Sequence, residues 1–247
     1  MVSILLHYGK VISSGRAAAG LLFLLGVPAF AVAAPPAAPA THPLPPAAQH
    51  LAPASPAAPA KPTQPEDFAG GFRSARFGMS EAEVRQAIAR DFDSKPDAIR
   101  PDLNPAELTH ALTIVVPDLI PGGGKATVAY VFGYKSEKLI QVGITWSKAI
   151  DDTITPDRLF INANILREHF LGEGYRPDTI TSNAPIAGGL LMFRGSDANG
   201  HTTALLLRGT FRQGDNNQKV LTPTGLLLYY VVDPKDPDVF KLPPGSF

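Results

Sequence analysis

The ring nitrogens open to chemistry in the last two thirds of this chain belong to His110, His169 and His201. A zinc site needs several such ligands at set intervals, and these three stand far apart with no H-x-x-x-H among them. Asp197-Ala198-Asn199-Gly200 opens like a calcium loop. Arg208, Gly209 and Thr210 occupy the place of its closing acidic ligand, so a hairpin turn is expected there. Pro121-Gly122-Gly123-Gly124-Lys125 is Gly-rich and ends in Lys, but the G-x-x-x-x-G-K-[ST] pattern is missing and a strand follows instead of a helix. It reads as a loop. Asp151 and Asp152 are adjacent, so their side chains point apart, and they precede a helix whose dipole favours acids. There is no G-x-S-x-G elbow and no S-x-x-K. Arg194 and Arg208, on neighbouring predicted strands, could hold an anion or an acidic partner. No metal and no cofactor is therefore expected. A hydrolase would have to assemble carboxylates and a His from distant residues.

The elements that would position these residues come from hydrophobic periodicity. Ser80 and Glu83 form an S-x-x-E capping box, and Val84, Ala87, Ile88 and Phe92 make a stripe at helical spacing, which predicts a helix over about 81–91. A polar, Pro-rich stretch over 93–108 reads as a loop. Strands are expected at 111–116, 125–133 and 139–147. Placing Val128, Tyr130 and Phe132 on one face with Ile140, Val142, Ile144 and Trp146 requires even-with-even pairing, and so a three-residue turn at Lys135-Ser136-Glu137. The other face would then show Thr127, Ala129, Val131, Gln141, Gly143 and Thr145, and is expected to be open to solvent.

The same order recurs later. Thr155 caps a helix with Pro156 at its first position, Leu159, Ala163, Leu166 and Phe170 form its stripe, and Gly172 ends it. Strands are expected at 188–194, 201–212 and 226–232, with Gly195 paired to Gly200 across the hairpin. The fold class is α+β. Two α-β-β-β pseudo-repeats, about 76–148 and 153–233, form an antiparallel sheet with the helices on one face, all within a single domain over 66–247.

Ahead of that domain, residues 1–33 read as a signal peptide. Lys10 and Arg16 give a basic start, Ala17–Phe30 is an apolar run, and Ala31-Val32-Ala33 is an A-x-A site, which sets cleavage between Ala33 and Ala34. The apolar run falls short of about 20 residues and contains Pro28, so the mature chain is expected to have no stable membrane span. Residues 34–65 hold 11 Pro and 11 Ala. Such a segment cannot build a core and serves as a linker. The chain contains no Cys, so the domain must stand on its core alone, and no lipid can be attached through a thioether. Removing residues 1–33 leaves 20 basic against 22 acidic side chains, which gives no electrostatic basis for a nucleic-acid partner.

The Gly78-Met79-Ser80-x-x-Glu83-Val84 segment followed by strands resembles the BamE/SmpA-like domains of bacterial envelope proteins. The doubled arrangement resembles the tandem-repeat β-lactamase inhibitor proteins. The resemblance implies a non-enzymatic module that binds an envelope protein, in the periplasm or secreted, although the lipid-attachment Cys of the barrel-assembly member is absent here. It assigns no site residues.

Overall fold

The computed structural model describes residues 68–213, 219–243 and 245–246. The expected signal peptide, its Ala33/Ala34 cleavage site and the Pro/Ala linker lie outside the described residues. A short hairpin, β1 (Gly71–Phe72) and β2 (Ala75–Arg76), leads into α1 (Glu81–Phe92). The capping box forms as the sequence implies. The Glu83 N–H points to the Ser80 hydroxyl at 3.5 Å, and the Ser80 N–H donates to the Glu83 carboxylate at 2.7 Å. Asp93, in the left-handed region at φ 47°, stops the helix. Four strands follow: β3 (Arg100–Asn104), β4 (Thr109–Val116), β5 (Ala126–Phe132) and β6 (Leu139–Ser147).

The second helix, α2 (Pro156–Leu171), begins where Thr155 Oγ1 accepts the Arg158 N–H at 3.2 Å and ends at Gly172. After it come β7 (Thr181–Ile186), β8 (Gly189–Ser196), β9 (Thr202–Gln213) and β10 (Lys219–Val231). A single 3-10 turn precedes each set of four strands, at Pro96–Ala98 and Pro177–Thr179.

All eight strands β3–β10 join one antiparallel sheet in the order β3-β4-β5-β6-β10-β9-β8-β7. Two four-strand meanders thus meet through their last strands. Both helices pack on one face of this sheet. Val84, Ala87 and Ile88 from α1, with Leu159, Ala163 and Phe170 from α2, share a core with Tyr130, Phe132, Trp146, Phe193 and Leu205. Each such buried aliphatic or aromatic side chain contributes about 2 kcal/mol relative to exposure. Among the described residues no helix is long and apolar enough to cross a membrane.

The structure departs from the sequence expectations in four places. Each helix is followed by four strands, not three. β3 and β7 carry Pro101 and Pro185, which argue against a strand in a sequence, yet both are edge strands whose outer side needs no ladder donor. β10 starts seven residues earlier than expected, because a bulge between Pro223 and Gly225 absorbs the proline. The β5–β6 turn has four residues (134–137), not three, closed by the Gly133 N–H donating to the Lys138 carbonyl at 2.9 Å: Val128 pairs with Ile144 and Tyr130 with Val142, as the even register requires, but a bulge after Val131 shifts Phe132 onto Leu139. Last, Gly195 pairs with Thr203 rather than Gly200, because the Asp197 carboxylate ties down the N–H groups of Asn199 and His201 at 2.9 Å each, which centres the turn on Asn199 and moves the partner of Gly195 three residues along.

Candidate binding surface

The face of the sheet turned away from the helices carries the arrangement that calls for an explanation. One row of cross-strand neighbours runs Thr113, Ala129, Gly143, Tyr229, Ala204 and Arg194. The small residues in it create room. A Cβ on Gly143 would meet the Tyr229 ring at 3.3 Å, so the ring lies over the glycine, where any other residue would crowd it. Parallel rows on either side bring Val131, Gln141 and Val231 together, and Thr127, Thr145 and Leu227.

This face was expected to be open to solvent. Its centre is not. Tyr229 is 1% exposed, Gln141 2% and Val131 3%. Pairing of β6 with β10, a contact between distant stretches of chain, sets Tyr229 and Val231 beside Gly143 and Gln141, and sequence alternation within β5 and β6 cannot report that. Among the described residues, the apolar side chains packed here are Ala204, Leu206, Leu227, Tyr229 and Val231, flanked by Ile186 and Leu191, all from strands of the sheet.

Several buried polar atoms of this face make no hydrogen bond. Among the described residues eight buried side-chain polar atoms have no hydrogen bond, and four of them lie here: Thr109 Oγ1, Thr127 Oγ1, Gln141 Oε1 and the Tyr229 hydroxyl. Each costs on the order of 1–3 kcal/mol if nothing meets it. Burial pushes the Tyr229 hydroxyl well above its ordinary pKa, with Arg208 nearby opposing the shift, so it stays protonated and available as a donor. Arg194 is exposed and Arg208 half-buried at the β7–β9 side of the same face. The structure thus brings the two arginines singled out in the sequence to the rim of this surface.

The other sequence candidates are dispersed. The Gly-rich loop is pinned, because Asn162 donates to the Gly123 carbonyl at 2.8 Å and the Asp151 carboxylate accepts the Lys125 N–H at 2.9 Å. Asp151 also accepts the Thr153 hydroxyl and N–H, and these bonds, the hydroxyl first, hold its carboxyl below the usual range. It is a structural anchor. His201 Nδ1 stands 3.3 Å from the buried Asp197 carboxylate, His169 faces Glu173 at 3.5 Å, and His110 stacks on Phe132 with Glu81 at 3.4 Å. A shallow depression of about 600 Å³ beside α1 is lined by Ser80, Glu81, His110, Ser136, Glu137 and Lys138, of mixed charge. Among the described residues, every carboxyl with a displaced pKa is displaced downward: Glu83, Asp151, Asp178, Asp236 and Asp238.

Sequence reasoning missed Tyr229, and missed that Gln141 is buried on the same face. The available signal was one polar residue, Gln141, in the middle of a strand whose next alternate residue is Gly143. Compared with protein families, with curated proteins and with solved structures, the chain matches none.

Proposed function

We propose that this chain is an exported cell-envelope protein, periplasmic or secreted, and that its role is to bind another envelope protein rather than to catalyse a reaction. The observation that carries the reading is the sheet face around Tyr229. It is apolar and buried at its centre, accessible at its margins through Val115, Leu191 and Arg194, and holds four orphaned polar atoms, and no helix of the described fold packs on it. A polypeptide partner supplies both apolar cover and hydrogen bonds, which an acyl chain does not. Residues 1–33 act in this reading as the export signal, and 34–65 as a spacer that gives the domain reach.

The same reading takes the fold as a duplicated unit of the BamE/SmpA-like kind, joined as in the tandem β-lactamase inhibitor proteins. Its support is the recurrent order of helix, 3-10 turn and four strands, and the matched Lys95-Pro96-Asp97-Ala98-Ile99 and Arg176-Pro177-Asp178-Thr179-Ile180 segments at those turns.

Cross-linked capture from an envelope fraction, with the full chain as bait, tests the function. One stoichiometric protein partner is expected, and it should be lost when Val115 and Leu191, at the accessible margins of the face, are changed to Lys. Capture that ignores these changes, or no partner at all, would sink the binding-module reading.

A further inference from the structure

Helix α2 is apolar on two sides. Leu159, Ala163 and Phe170 turn to the sheet, while Phe160, Ile161 and Ile165 face outward and are 46–50% exposed. A surface helix ordinarily shows charge there. Ile161 and Ile165 stand one turn apart, bracketed by Arg158 toward the N-terminus and Glu168 toward the C-terminus. Arg158 has no carboxylate partner among the described residues, and Glu168 meets only its neighbour Arg167, at 2.6 Å.

We propose that a second copy of this chain docks on this face, α2 against α2, antiparallel about a two-fold axis level with Ala163. The charge pattern selects that geometry. Ile161 and Ile165 lie two residues to either side of 163, Arg158 and Glu168 five, Asp157 and His169 six. The axis therefore sets Ile161 against Ile165, Arg158 against Glu168 and Asp157 against His169 of the second copy, each contact occurring twice. Parallel docking would set Arg158 against Arg158 and Glu168 against Glu168. The α2 face lies on the helix side of the sheet, so pairing here leaves both Tyr229 faces outside the contact between copies. The dimer stands independently of the binding reading above.

Two helices of 16 residues, each about 24 Å long, cover less than the roughly 1,200 Å² of a standard interface, so association is weak and concentration-dependent. Sedimentation velocity of the full chain over about 1–200 μM tests it, since that range brackets a micromolar equilibrium. The wild-type chain should shift from monomer to dimer. Ile161→Asp should remain monomeric with an unchanged circular dichroism spectrum. Arg158→Glu should weaken the dimer about tenfold, and adding Glu168→Arg should restore it to within about threefold. A wild-type monomer throughout, a dimer indifferent to Ile161→Asp, or a double charge swap no better than the single one would each overturn the proposal. None of these outcomes bears on capture of a partner through the far face.

Discussion

Changing Tyr175 to Phe isolates one buried hydrogen bond. The Tyr175 hydroxyl donates to Thr203 Oγ1 at 2.6 Å, and Thr203 is fully buried in β9. The ring itself packs against Phe68 at 4.8 Å and Phe193 at 5.0 Å, contacts that Phe preserves. What is lost is the hydroxyl alone, which leaves Thr203 without a partner in a dry core. That costs about 1.5 kcal/mol. Thr203→Val strands the Tyr175 hydroxyl instead and costs about as much. In the double variant no polar atom is stranded, so the loss should fall below about 1 kcal/mol, with a coupling near 2 kcal/mol. For a domain of this size that means Tm drops of about 3–6 °C for each single change and less than about 4 °C for the pair, well short of the roughly 6–12 °C that additive losses would give. The lone Trp146, 1% exposed in the same core, reports urea unfolding by fluorescence. Additive losses in the double variant would refute the assignment of this bond as the link between the α2–β7 connection and the sheet.

Three further outcomes are expected. Gly143→Val should push the Tyr229 ring off β6, lowering stability by about 1–3 kcal/mol in urea titrations and reducing partner capture together with it. Ser80→Ala should cost about 1 kcal/mol through the lost α1 cap, read as a lower Tm. For Asp238, desolvation pushes the carboxyl up, but the Ser136 hydroxyl and the Ser136 and Lys135 N–H groups outweigh it and hold the group below its ordinary value. A depressed carboxyl stabilises above its unfolded pKa and loses that contribution as pH falls through the folded one. Hydrogen exchange at the Tyr134 N–H, which donates to the Asp238 carbonyl at 2.9 Å, should therefore quicken relative to the core as pH falls below the ordinary Asp range, and Asp238→Ala should show it already at neutral pH.

Both helices were legible in the chain because their signals are local. Ser80 with Glu83, and Thr155 with Pro156, state a start within four residues, and the stripes behind them name the buried side. The strand register around Val128 and Ile144 was legible for a similar reason, since two alternating runs separated by a short turn can align their apolar faces in only one way. The edges were not, because Pro101 and Pro185 are admissible only where a strand has no outer neighbour, and neighbours are a property of the whole sheet. The β8–β9 register turned on one carboxylate, Asp197, whose bonds to its own turn outweighed the Gly195–Gly200 symmetry. The candidate surface was illegible because it depends on β6 meeting β10: Gly143 in a strand reads as a weak spot until Tyr229 lies across it.

That seam between β6 and β10 also sets an order of events. Each meander is built from hairpins whose partners are close in sequence, so each can form early, whereas Gln141–Ser147 must wait for Gly225–Val231 before its second edge is paired. A chain delivered N-terminus first would complete one meander while the other is still emerging. During that interval β6 presents an unpaired row of N–H and C=O groups flanked by Ile144 and Trp146, the kind of edge on which another copy of the chain can add a strand. The last strand to arrive is the one that closes it, and loss of the C-terminal strand would leave a molecule half folded and prone to self-association.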